Sequence, residues 1–246
     1  MFGRREGNVP PQPFHTPYKD PRFNGLYNLL FCDNPSLFTK VAAPTAPSHD
    51  VIRIVLYDPP DRARLEQVGN DSEVESRYRM LAFYRLRSMN LPVPPKRLLG
   101  IIVECQRPLG LDVLAGYVDG RVRYINQAEK MFICEPSAPP AVANVARALT
   151  SVSQTAVDQF PFSNLPRQAR CSPPVNDRFR ITFLASDGPY IAEASYAALI
   201  KDRLVGPVVA FASLLLKASV EIALKEGRSA STVLKEIEQL RSPPHG

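Results

Sequence analysis

Hydrophobic and polar positions follow two different periods along this chain. Leu98 to Cys105 is an almost unbroken apolar run, the pattern of a strand buried on both faces. Leu111 to Val118 is a second run, followed by Asp119-Gly120, the pair that a two-residue type I′ hairpin turn prefers. Arg121 to Asn126 returns from that turn, and Met131 to Glu135 adds another strand, giving an antiparallel meander. With Asp119-Gly120 as the turn, Tyr117 faces Val122, Ala115 faces Tyr124 and Arg123 lies opposite Gly116. Val113, Ala115, Tyr117, Val122 and Tyr124 then share one apolar face. Asp112, Arg121 and Arg123 share the other with Leu114, Val118 and Ile125. Arg178 to Ala185 and Tyr190 to Ala194 form a second hairpin around Asp187-Gly188. Val51 to Tyr57 is β-branched, stops at Asp58-Pro59-Pro60, and reads as one more strand.

The helical period appears between these runs. Asn24 to Phe38 suggests a short helix or turn. Glu73 to Met89 is a helix that Asp71 or Ser72 can cap, and Pro92, Pro94 and Pro95 bar its continuation. Ala141 to Val157 is amphipathic through Val142, Val145, Leu149, Val152 and Ala156, after a Pro139-Pro140 start. Asp158 to Asp177 reads as a long irregular connection. Helices follow over 196–203, 207–226 and 229–240, the second apolar around most of its circumference. Hairpins with clustered helices predict an α+β fold, an antiparallel meander sheet of about six to seven strands packed by helices, with a helical C-terminal segment. The chain divides into a Pro-rich arm with a short helix (1–48), an α+β core (49–205) and C-terminal helices (206–246) that pack on the core or a partner.

Composition adds little that is specific. The 246 residues are 45% hydrophobic and 22% charged, as in ordinary globular proteins, and exclude a collagen-like, coiled-coil or wholly disordered chain. No apolar stretch reaches the ~18–20 residues of a spanning helix, and nothing resembles a secretory signal. The net charge of +6 is concentrated locally. Residues 77–97 hold Arg77, Arg79, Arg85, Arg87, Lys96 and Arg97 and no acid, whereas 66–75 hold four acids and no base. Arg77, Arg79, Arg85, Arg87 and Arg97, with Tyr78, Phe83 and Tyr84 for stacking, are the candidate anion-binding set. At about 100° per residue the helical arginines surround the helix and form no stripe. Glu73–Arg77 and Glu75–Arg79 instead read as i,i+4 pairs of a self-neutralising helix.

The chemistry-bearing residues are sparse. Phosphate-binding glycine loops, a nucleophile elbow, an H-E-x-x-H pair and a calcium loop are all missing from the sequence. Cys32, Cys105, Cys134 and Cys171 show no metal-ligand spacing and read as reduced thiols, with Cys32 lacking an evident activating partner. His15, His49 and His245 lie in Pro-rich or terminal segments, and His15 enters chemistry only if its arm packs down. Asp58 and Asp61 read as caps of a turn and the following helix. Glu104 is the unusual carboxylate: inside a central strand it requires a cation, with Arg121 or Arg123 as the expected partner.

The order of elements from the meander onward resembles small mixed α+β sensor or scaffold modules of the profilin or roadblock type, over about half the chain. The sequence reading is a non-catalytic cytoplasmic adaptor, regulator or assembly subunit that binds other protein subunits, with homo-oligomers as one form of assembly. No catalytic residue, metal or cofactor is assigned, and no membrane is involved. Val233, Ile237 and Leu240, an i, i+4, i+7 stripe, are the candidate protein-interaction residues. The alternatives are a polyanion or nucleic-acid binder using 77–97, and an enzyme with a carboxylate site around Asp58 and Glu104.

Overall fold

The computed structural model describes residues 13–38, 49–56, 59–135, 140–159, 170–175 and 178–225. Within them the fold is α+β. Helices α1 (Pro21–Leu30), α2 (His49–Leu56), α3 (Arg62–Asn70) and α4 (Ser76–Ser88) precede strands β1 (Leu98–Arg107), β2 (Gly110–Tyr117), β3 (Val122–Ile125) and β4 (Met131–Cys134). Helix α5 (Pro140–Gln159) leads to β5 (Arg178–Ala185) and β6 (Gly188–Ser195), then α6 (Tyr196–Lys201) and α7 (Gly206–Lys225). The six strands form one sheet in the order β4-β3-β2-β1-β5-β6, and every neighbouring pair is antiparallel.

Both faces of the sheet are covered. On the first face α1, α2 and α4 pack over Val113, Ala115, Tyr117 and Ile125. On the second, α5, α6 and α7 pack over Ile101, Leu114, Val122, Ile181 and Phe183. Period-two alternation lets one strand feed both cores. The N-terminal arm joins the first core: Tyr18 is buried there and its hydroxyl donates to the Leu111 carbonyl at 3.1 Å.

Two expectations are corrected. Val51 to Leu56 is helical, within α2, and not a strand. Ile52 and Val55 are buried three positions apart while Arg53 is exposed, which is helical spacing. β-branched composition is a weak preference that packing against α3 and α4 overrides here.

The hairpin register is also one residue away from the expected one. Gly116 pairs Val122, Ala115 pairs Arg123 and Leu114 pairs Tyr124. The connection has three residues, closed by the Tyr117 N–H donating to the Arg121 carbonyl at 3.0 Å, with Gly120 at φ +88°. That φ favours glycine and is typical of a three-residue loop with a bulge. Asp119 explains the longer loop. Its carboxylate accepts from the Arg121 N–H at 3.0 Å and from the Ser76 N–H at 2.8 Å, satisfying an otherwise open donor at the start of α4. Burial alone would raise the Asp119 carboxyl pKa, but these bonds and the Arg121 charge hold it below its ordinary value. The one-residue shift moves all of β3 to the opposite face. Val122 and Tyr124 enter the second core, while Ile125 joins the first.

Candidate functional site

A partly open pocket, with a cavity of about 60 Å³, lies on the first face. Helix α1 places one wall. It starts with Asp20 accepting from the Arg22 N–H at 2.9 Å and Pro21 in the first turn. It ends in Cys32 at φ 52°, a left-handed residue that reverses the chain just past the helix. That reversal places Phe31, Cys32 and Asp33 at the pocket, opposite Met80, Tyr84 and Arg87 of α4. The floor is the sheet, with Glu104 on β1 and Arg180 and Thr182 on β5.

Glu104 is fully buried, and its direct cross-strand neighbour is Arg180. The Tyr27 hydroxyl donates to Glu104 Oε1 at 2.7 Å, and Arg180 Nη1 lies 3.9 Å from Oε2. Glu104 Oε2 itself accepts no hydrogen bond among the described residues. Burial pushes the Glu104 carboxyl up to about 7, against the Tyr27 bond and the charges of Arg180 and Arg170. Arg180 is held from behind by Glu193 at 2.7 Å and by the Ser172 carbonyl at 2.5 Å. Arg170 stacks on Phe31 at 4.3 Å, donates to Asn28 Oδ1 at 2.6 Å and lies 3.7 Å from Asp33.

Glu104 therefore has a cationic partner, but not the expected one. Arg121 and Arg123 belong to a separate network. Arg121 binds Asp119 and Glu135, each at 2.9 Å, and Arg123 also binds Glu135. Tyr27, Asp33, Arg170 and Arg180 are the residues the sequence reading missed. A signal existed for one of them. Arg180 shares its strand parity with Thr182, between Phe179 and Ile181, so a buried β5 requires an acid for it just as β1 requires a base for Glu104.

The five candidate anion-binding arginines do not converge. Helix α4 begins at Ser76, so Glu73 and Glu75 precede it and the i,i+4 pairs do not form. Arg77 pairs with Glu75 instead. Arg79 donates to the Gly69 carbonyl at 3.2 Å, Arg87 to the Ser186 carbonyl, and Arg97 to Asn70 Oδ1 at 2.7 Å. Arg85 lies in the last turn of α4 and is half-buried.

The second face presents hydrocarbon. A groove there is lined by Val103, Leu114, Phe179, Tyr196, Val209 and Leu216, among others, and by the buried Asp112, which pairs with Arg107 at 3.1 Å. Beside it, Phe211, Leu214, Ala218 and Ile222 follow one another on α7 at three- and four-residue spacing and are only partly covered. Leu214 is 53% exposed, and Ile200, on the neighbouring α6, is 44% exposed. Val233, Ile237 and Leu240 lie outside the described residues, as does Asp58.

The remaining candidates are quiet. Asp61 caps α3, accepting from the Arg64 N–H at 3.2 Å. Cys32, Cys105 and Cys134 are buried free thiols and Cys171 is partly exposed. Burial pushes the Cys32 thiol well above its ordinary pKa, which leaves it a poor nucleophile. The arm does pack down around His15, whose N–H donates to Asn28 Oδ1 at 3.1 Å. Burial, opposed by a hydrogen bond to Arg170, lowers the His15 pKa. Among the described residues no cluster has the composition of a metal site, and no helix is long and apolar enough to cross a membrane. Comparison with protein-family models, curated proteins and solved structures finds no match.

Proposed function

We propose that this chain is a non-catalytic protein-binding subunit that docks an amphipathic helix of another protein along α7. The observation that carries the reading is the partly covered apolar strip Phe211, Leu214, Ala218 and Ile222. The strip is about 17 Å long, three helical turns. It is bordered by the exposed Lys217–Glu221 pair at 3.8 Å. A narrow apolar seam with a charged border suits one helix of matching pattern better than a broad surface. Polyanion binding is less favoured, because Arg77, Arg79, Arg87 and Arg97 already donate to groups of this protein.

The test is affinity purification of the full chain and of Leu214→Asp, with co-purifying proteins and nucleic acid both identified. The reading expects a protein held by the wild type and lost from the variant. A partner held equally by both, or nucleic acid as the bound species, would contradict it. Self-association abolished by Leu214→Asp would identify the partner as a second copy.

A further inference from the structure

The first-face pocket is a different surface from α7 and carries its own inference. Glu104 lines it, and its Oε2 is fully buried with no hydrogen-bond donor among the described residues. Asp33 Oδ1 is a second such acceptor, itself shielded although a fifth of the Asp33 side chain reaches solvent. A buried acceptor left open costs free energy, so these two atoms call for a donor. Arg87, Arg170 and Arg180 line the pocket with Asp33 and Glu104, and Glu193 behind Arg180 is shared with Arg178. The arginine excess disfavours an added cation, and the open carboxylate oxygens disfavour an added anion. Phe31, Met80, Tyr84, Leu184 and Ile191 supply apolar wall.

We propose that this pocket binds a small neutral hydrogen-bond donor, such as a primary carboxamide, with its N–H directed to Glu104 Oε2 and an apolar body against Phe31 and Leu184. The 60 Å³ cavity takes a group of a few heavy atoms, so the ligand's remainder would extend through the open side.

Acetamide, acetate and acetamidinium are nearly isosteric probes of neutral, negative and positive charge. They can be titrated into the isotope-labelled full chain by amide NMR at pH 8, where Glu104 is ionised. Acetamide should give saturable millimolar shifts around Asp33, Glu104 and Thr182. The two ions should bind about tenfold more weakly or worse, the equivalent of burying an unbalanced charge. Glu104→Gln can keep the Tyr27 bond through its oxygen and turn an N–H into the pocket. The preference for acetamide over acetate should then fall about fivefold or more. Ile191→Phe narrows the pocket from the edge strand and should weaken acetamide several-fold even if Glu104→Gln does not fold. No saturable shift, tighter binding of either ion, or acetamide binding that Ile191→Phe leaves unchanged would each overturn the proposal. The first of these results would mean that water alone satisfies Glu104.

Discussion

Strands β1 and β5 present different chemistry on their two sides. Toward α1 and α4 they point Glu104, Arg180 and Thr182; toward α5 and α7 they point Ile101, Ile181 and Phe183. The second side is held by area removed from water, a non-directional force that tolerates change in proportion to volume lost. The first is held by a Tyr27–Glu104–Arg180–Glu193 chain in which each member desolvates the next. Such a chain is costly to break at one link, because the group left behind stays buried and unpaired. It also fixes register, since Glu104 meets Arg180 only when β1 and β5 pair as observed. The middle of this strand pair thus carries a specific, titratable face and an apolar one, the Arg107–Asp112 pair lying only at the end of the second.

Substitutions can separate the two faces, and the largest effect belongs to the charged one. Arg180→Met should cost about 3–5 kcal/mol at pH 8, read by chemical denaturation. It should cost less at pH 5, where Glu104 can escape by protonation. Leu215→Ala, fully buried against the second face, should cost about 3 kcal/mol at both pH values. A pH-dependent Leu215 effect would blur the distinction. Tyr27→Phe removes one bond to a carboxylate and should cost about 2 kcal/mol. Leu214→Asp, on the exposed strip, should change stability by no more than about 0.5 kcal/mol while altering partner binding. The thiols give the finest check. In the native protein Cys171 should react with a thiol reagent ahead of Cys32, Cys105 and Cys134, and fast labelling of Cys32 would mean the first face is open.

The sequence was informative where periodicity was local. The strands from Leu98 to Ala194 and the helices over 141–157 and 207–225 can be read from it, because burial on a known face imposes a period that survives without context. Two kinds of information were hidden. One is side-chain capture by distant elements: Asp119 lengthens its own hairpin by also capping α4, 43 residues away, and that single recruitment reverses the faces of β3. The other is pairing across the sheet. Glu104 was recognisable as a buried acid needing a base, but the adjacent hairpin offered Arg121 and Arg123. The actual partner comes from β5, beyond α5 in the chain. Arg170 was less legible still, since nothing around it in sequence signals that it will stack on Phe31.

The buried charge is the central difference between the faces, and its titration tests it most directly. The Glu104 carboxyl has an ordinary pKa of 4.5 and sits at about 7 in the fold, chiefly through burial. Folding therefore takes up a proton between those values, so this group's contribution falls as pH rises from about 4.5 to about 7 and is level above. Its size is at most about 3 kcal/mol. The measurement is unfolding free energy from pH 4.5 to 8 for the wild type and Glu104→Gln, taken as a difference so that other titrating groups cancel. The variant should gain on the wild type by up to about 3 kcal/mol as pH rises. A difference that stays constant across the range would contradict it, and would mean that Glu104 is ionised as freely in the fold as in the open chain.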